Sequence, residues 1–442
     1  MADAGRRLAL LNIGAVATGP AATGPVRHPT WDDVGLVTGV GIGVEDGRVA
    51  IIAPDEEVGE WFHSAISPDT VVDCGGRLVT AGLVDAHTHA VFGKPRLEDQ
   101  ARRARGEDYM AIAAGGGGIL STVADFRARG ENDLILLSLP RLAMMGALGT
   151  TVVEIKSGYG LSLEAELKAL RVVGRLRDLV PLRLVATFLG AHEIPPEYRH
   201  RRDAYVRLVI EEMLPAVALE GLAAFCDVFC EPGAFSVEEA AAILGVAGAF
   251  GLGLKLHADE LAPSGGAELA AKLGAASADH LGAISSAGIE ALAASETAAV
   301  LLPGTLLFLG RTAQAPARAL VDAGAIVALA TDFNPGTSPS ANLPLMMALA
   351  VCQARLQPEE AFIAATVNAA HAVRLAGDRG RVAVGAPADL VVWNCRDVRE
   401  LAYWYGTPLA WRVYAAGRPC HHGGPGISSA GSLGRPLSPP LS

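Results

Sequence analysis

Charge is scarce in this chain. Asp, Glu, Lys and Arg make up 19% of its 442 residues, below the usual quarter for soluble proteins. What charge there is leans acidic, at a formal net −11, which argues against non-specific binding to nucleic acid. An anionic substrate would need a local basic group to offset that field. No Cys-x-x-Cys pair occurs among the six cysteines, and Cys226 and Cys230, in CDVFC, read as part of a strand and not as a zinc knuckle. A reduced, cytoplasmic chain is the simplest expectation. The opening MADAGRRLALLNIG has only a short apolar run broken by Asn and Gly, so it reads as a first strand and not as a signal peptide. No uninterrupted apolar run approaches the ~18 residues of a membrane-spanning helix. No GxGxxG follows a strand as a dinucleotide site requires. The GGGG run at 115–118 is not a strand–Gly loop–helix with a Lys, so it reads as a lid or a tight backbone approach and not as a phosphate loop.

What is present is apolar and periodic. Hydrophobic residues reach 51%, enough for a sizeable core, and the length suits a large α/β barrel with a smaller module. From Leu83 onward, β-like runs alternate with helical stretches. The runs lie at 83–89, 150–156, 183–192, 227–231, 253–259, 276–280, 298–304 and 326–332. Eight such alternations predict a closed (β/α)8 barrel over an open doubly wound sheet. Ser162 and Ser236 stand as N-cap signals before two of the helices, each with Glu in the first turn. Both flanks carry β-like runs broken by turns, such as GIGVEDGRVAII with its Asp-Gly signal. The expected organisation is an N-terminal part of a β-sandwich over 1–78, a (β/α)8 barrel over 79–378 and a C-terminal part of the sandwich over 379–420. A disordered tail rich in Gly, Ser and Pro is expected over 421–442.

The chemistry sits where apolar runs end. His87 and His89 lie in LVDAHTH, His257 and Glu260 in GLKLHADE, His280 in ASADH and Asp332 in AIVALATD. All strands of such a barrel end on one face, so residues far apart in sequence converge there. Side chains two apart on a strand share a side, so His87 and His89 can reach one cation. A single His near a strand is ordinarily a satisfied core residue; this ordered series reverses that balance. His87, His89, His257 and Asp332 form a ligand set suited to zinc or iron with room for water. Such a metal lowers the pKa of bound water towards ~7, and Asp332 can also accept a proton. Glu260 is a candidate general acid/base or else a helix-start carboxylate. His280 is either a hydrogen-bond partner of the attacking water and oxyanion or a further ligand. Arg96, in FGKPR, could hold a carboxylate bidentately or be an ordinary loop arginine. Tyr159 and His192 also stand at strand ends. In DFNPGTSP, Asn334 and the amides near Gly336 and Thr337 could bind carboxylate or amide groups.

DAHTHAVFG, EIKSGYGLSLEAELK, TFLGAH, KLHADE, SADHL, LLPG and ATDFNPGTSP, in this order, resemble the imidazolonepropionase family of the amidohydrolase superfamily. The resemblance covers nearly all of 80–375 and extends to VGAPADLVVW. It implies hydrolytic opening of the 4-imidazolone-5-propanoate ring to N-formimidoyl-L-glutamate, in histidine degradation. It further implies one Zn2+ or iron ion per chain on His87, His89, His257 and Asp332. Arg96, Tyr159 and His192 would contact substrate, with Glu260, Asn334, Gly336 and Thr337 completing the pocket. Lys156 stands where some amidohydrolases carry a bridging carbamylated lysine; the resemblance is to the single-metal branch, so Lys156 is assigned no metal. The expected partners are a small anionic substrate and a second copy of the chain, with no nucleic acid and no membrane. The alternatives are another cyclic amide or amidine hydrolase, such as a nucleobase-type deaminase, and a non-catalytic scaffold, which would ordinarily have lost ligands.

Overall fold

Parallel strands buried on both faces need near-continuous apolar runs, and the eight central runs meet that need. The computed structural model describes residues 7–63, 70–107, 111–112 and 115–422. In it the barrel strands are Leu83–Asp85, Thr150–Lys156, Arg183–Ala191, Phe225–Cys230, Gly253–Ala258, Ser277–His280, Ala298–Leu301 and Ile326–Leu329. They follow one another in sequence order around one eight-stranded sheet. A parallel bridge from Thr88 to Phe333 joins the first and last strands beyond their ends. There the His89 N–H donates to the Phe333 carbonyl at 2.9 Å and the Asp332 N–H to the His87 carbonyl at 3.0 Å.

Alternation along each strand sorts the interior into layers. Val84, Val152, Val185, Phe225, Ala298 and Ile326 form an apolar floor. Two residues further along four of these strands or their neighbours stand buried polar groups: Glu154, Asp227, Lys255 and Asp279. Above them lie Lys156, His257 and Asp332, also buried. Leu254, Leu256 and Ala258 face the opposite way, into the main core under the helices.

Ser236 caps Val237–Ala249 through a full capping box with Glu239. Ser162 stands at the N-cap of Leu163–Leu179, but its hydroxyl makes no cap bond.

The chain ends supply two further sheets. One is four-stranded and runs Arg48–Ala53, Gly41–Glu45, Arg7–Leu11, Thr70–Asp73; the other is six-stranded and runs Arg418–His422, Ala410–Ala415, Leu390–Trp393, Leu78–Ala81, Ala15–Ala17, Leu36–Val37. Leu10, Ile42, Val44, Val79, Leu390 and Val392 pack between them, which makes a sandwich built from both termini. Asp46 and Gly47, at φ 49° and 77°, form the turn that the Asp-Gly pair announces.

Three boundaries move. Leu78–Ala81 pairs with Leu390–Trp393 in the sandwich, so the barrel starts at Leu83 and not at 79. The first barrel strand stops at Asp85, short of the expected 89, because its partner pairing passes to the Thr88 bridge. His421 and His422, expected in the tail, pair with Val413 and Arg412; the rest of the expected tail lies outside the described residues. The stretch 17–39 reaches under the barrel. Arg27 donates there to the carbonyls of Ala293, Ser295 and Gly324, just before the last two strands. Among the described residues, no helix is long and apolar enough to cross a membrane.

Trp393 fastens sandwich to barrel. It is fully buried in the main core, and its indole N–H donates to Thr80 Oγ1 at 2.9 Å. Trp393→Ala would leave a large cavity and remove the indole's bond to Thr80, so unfolding free energy should fall by about 3–5 kcal/mol, read by denaturant titration.

Candidate metal centre and substrate pocket

The strand ends gather the histidines at the top of the barrel. Ring centroids of His87 lie 5.3 Å from His89, 4.5 Å from His257 and 5.3 Å from His280. His89 also stacks against His192 at 5.1 Å. Asp332 Oδ1 sits 3.6 Å from both His87 Nε2 and His89 Nε2. Three overlapping groups have ligand atoms within 4.8 Å of one another: His87–His257–His280, His89–His192–His257 and His87–His89–Asp332.

These donors fit a metal. His87 Nε2 and His257 Nε2 are buried without a hydrogen bond among the described residues, a costly state unless something takes the lone pairs. Burial, as the largest cause, holds His87, His89 and His280 well below the ordinary histidine range, so they present neutral imidazole, the form that ligates. Imidazoles and a carboxylate gathered this closely are a donor set of the kind that holds a divalent metal ion.

His280 reaches the centre by an irregularity. Its neighbour Asp279 already faces inward, so plain alternation would turn His280 outward. At His280 φ is +79°, and the strand ends with the ring 5.1 Å from that of His257. Asp259, Leu281 and Asp332 also have positive φ; such uncommon conformations at strand ends mark functional positions. Glu260 Oε2 lies 3.6 Å from His280 Nδ1. Burial pushes the Glu260 carboxyl up to about 8, helped by Asp332 and Glu231. A carboxylic acid in that state can donate a proton at neutral pH. Burial also raises Asp332 to about 6, while Thr305 Oγ1 donates to its Oδ2 at 2.6 Å.

Arg96 lies at the rim, tied down on two sides. Its N–H donates to the Pro335 carbonyl at 3.0 Å. Its guanidinium covers Gly336 so closely that a Cβ there would fall 1.7 Å from an Nη. Arg96 Nε is buried and makes no hydrogen bond among the described residues. The preceding loop is pinned by Arg141, which donates to the carbonyls of Ala90, Phe92 and Gly93 and lies over the Phe92 ring. Tyr159 is buried, with its ring 5.8 Å from His89 and 5.7 Å from His192. Burial drives His192 down to about 3, and its Nδ1 lies 3.0 Å from the Gly158 carbonyl.

Asn334 is placed differently from the expectation of a ligand-facing amide. Its Oδ1 accepts the N–H groups of Gly336 and Thr337 at 2.8 and 2.7 Å, and its Nδ2 donates to Thr337 Oγ1 and the Asp332 carbonyl. Both amides expected to meet substrate are thus used inside the loop, which seats Gly336 beneath Arg96.

Several supporting residues escaped the sequence reading. Glu166 accepts the amides of Gly158, Gly160 and Leu161, shaping the Tyr159 loop. Glu231 accepts those of Glu260, Leu261 and Ala262. Asp227 and Asp279 contact His257 and His87 from below. Their signal was the period of two: Asp227 sits two before Phe229 and two after Phe225, so it had to point inward.

The Amidohydrolase family model matches residues 78–409. The chain is 44% identical over 409 residues to "Imidazolonepropionase" of Bacillus velezensis, covering 92% of this chain and 96% of that one. It is 45% identical to "Imidazolonepropionase" of Symbiobacterium thermophilum, covering 93% and 97%. Among solved structures it superposes on E. coli guanine deaminase with a TM-score of 0.69 at 16% identity, covering 95% and 99%. An adenosine deaminase from Xanthomonas campestris with bound zinc gives 0.66 at 18% identity, covering 94% and 92%. Likeness at that level of identity concerns the fold.

His257 belongs to two of the three candidate ligand groups. His257→Ala should therefore lose most bound metal, read by elemental analysis of purified protein. Full occupancy in that variant would refute the site.

Proposed function

The chain belongs to the imidazolonepropionase family of the amidohydrolases, and we propose that its site opens the 4-imidazolone-5-propanoate ring by water, giving N-formimidoyl-L-glutamate. One observation carries the assignment of roles: half-buried Arg96, whose Nε has no partner among the described residues, stands at the rim of a cluster of neutral histidines. The substrate has a matching pair of features, a propionate and a ring amide.

His87, His89, His257 and Asp332 would hold one divalent ion, zinc or iron. When bound, that ion supplies a water activated near neutral pH. Arg96 takes the propionate with its planar fork, and Gly336 lets the guanidinium lie flat. Buried Tyr159 and half-buried His192, both beside His89, wall the ring and exclude water. Asp332 accepts the proton that the attacking water sheds. His280 donates to the oxygen that gains charge as the ring carbonyl becomes tetrahedral. Glu260 gives its proton to the ring nitrogen as the carbon–nitrogen bond breaks. Water is consumed, one bond opens, and no ammonia leaves. The deaminases among the structural neighbours release ammonia from a ring and need no carboxylate clamp. A cytoplasmic setting is part of the same reading, supported by six cysteines free of disulfides.

The decisive assay follows ultraviolet loss of freshly made imidazolone propionate alongside ammonia. Ring opening without ammonia is expected; ammonia release would favour the deaminase reading. A bidentate charge pair in a partly dry site is worth about 2–5 kcal/mol when one partner is cut back. Arg96→Ala should accordingly lower kcat/KM by roughly thirtyfold to several thousandfold, with Arg96→Lys restoring only part. An analogue whose propionate is a neutral amide should be almost indifferent to Arg96→Ala.

Gly336→Ala tests the seat of that arginine without touching its charge. A methyl group there collides with the guanidinium, so kcat/KM should fall about tenfold or more while metal content stays normal. Unchanged kinetics would show that Arg96 works from another position.

A further inference from the structure

Beneath the histidines lies a second cluster that the proposed chemistry does not use. Lys156 is fully buried, and its Nζ lies 2.8 Å from Asp227 Oδ2, 2.9 Å from Glu154 Oε1 and 3.6 Å from Asp279 Oδ2. Each of those carboxylates in turn meets the histidine layer. Asp279 Oδ2 is 2.6 Å from His87 Nδ1. Asp227 Oδ2 is 3.0 Å from His257 Nδ1, and its Oδ1 accepts the His257 backbone N–H at 3.1 Å. Glu154 Oε2 accepts the N–H of Thr88, the residue between His87 and His89, at 3.2 Å. The other buried cation nearby, Lys255, is spent differently. It donates to the carbonyls of Ala86 and Ala372 and comes only to 3.8 Å of Asp279.

We infer that Lys156 is a positioning residue for the metal centre: one ammonium group holds three carboxylates, and through them it sets the orientation of His87, His89 and His257. This inference rests on the metal-site reading above. Three carboxylates this close together repel one another in a medium that screens poorly. The ammonium among them offsets that repulsion and holds all three in place. Asp279 Oδ2 accepts the Nδ1 proton of His87 at 2.6 Å, which leaves Nε2 as a lone pair facing the centre; Asp227 Oδ2, 3.0 Å from Nδ1, does the same for His257. Without the ammonium, the carboxylates would swing apart, and the imidazoles would lose their fixed tautomer and aim. Lys156 thus serves the site from below, as a cation and not as a ligand.

Two physical effects of opposite sign make the idea testable. Direct Coulomb repulsion says that removing a nearby ammonium should tighten the hold on a dication. Positioning says that it should loosen it, by about ten- to a hundredfold, the usual loss when outer supports of ligands are removed.

The experiment loads full-length protein with cobalt(II) and follows its visible spectrum during challenge with a chelator. Circular dichroism and Tm are recorded in parallel. Lys156→Met, similar in length but uncharged, should lose cobalt at least tenfold faster than wild type and show an altered cobalt spectrum. Lys255→Met removes the neighbouring buried cation and serves as the control for a general structural role. It should lower Tm while cobalt retention and spectrum stay near wild type. Cobalt held as tightly or more tightly by Lys156→Met would overturn the inference, as would equal loosening in Lys255→Met. If Lys156→Met does not fold, Asp227→Asn decides, because it keeps the shape of the support and removes its charge. Tenfold faster cobalt loss is expected there, and an unchanged rate would overturn the inference. Wild-type protein that binds no cobalt would instead refute the metal site itself, a result distinguishable from every variant effect.

Discussion

The inside of a closed parallel barrel holds little water, so an inward-facing charge must find its partner within the barrel. Every second residue of each strand faces that interior. Near the floor the inward positions are Val, Ala, Ile and Phe, and nothing needs pairing. Higher up, two lysines stand among Asp85, Glu154, Asp227 and Asp279. Asp85 is held apart by the Thr331 hydroxyl and amide. The ionic layer is therefore a platform whose charges are largely answered within it, and the histidines stand on it with their free nitrogens upward. A metal site needs ligands aimed before the ion arrives, and this layer does the aiming.

The loops above follow the same economy with different partners. Buried carboxylates accept backbone amides where the chain must turn sharply next to functional side chains. Glu166 does so for the Tyr159 loop, Glu231 for the Glu260 segment, and Asp259 for the amides of Ser264, Gly265 and Ala267. Asn334 does so for Gly336 and Thr337. Each such group satisfies orphan donors and rigidifies its turn. The positive φ values at Asp259, His280, Leu281 and Asp332 are held by these bonds and by the packed strands beneath. Rigidity at the rim keeps Arg96 a set distance from the histidines, which suits a substrate with its charge remote from its reacting bond.

The sandwich contributes position and not chemistry. Its two sheets join chain segments from both ends, and Trp393 locks them to the barrel wall. Arg27, from the 17–39 stretch, ties carbonyls at the opposite end from the site. Stability and chemistry are thus separated along the barrel axis, the usual division of labour in this architecture.

How much of this could be read from the residues alone follows from what is local. Periodicity of two, apolar runs and turn residues are local properties, so the eight strands and the sandwich at the ends were legible. The convergence of His87, His257, His280 and Asp332 was legible as well, because all strands of such a barrel end on one face. Asp227, Asp279 and Glu154 lay in the same runs and their inward direction could be read, but not their partners. Which carboxylate meets which imidazole depends on the register between neighbouring strands, and hydrogen bonding across the sheet sets that register. His280 is the sharper case: its place at a strand end marked it for the site, but alternation alone would turn it outward, and the backbone turn at φ +79° is what brings the ring in. Asn334 shows the converse. Its place in a turn-rich loop was plain, yet whether its amide faced a ligand or its own loop was decided by the folding of that loop against Arg96. A strand can be read from its own residues; the pairing of side chains across the barrel exists only once the strands have met.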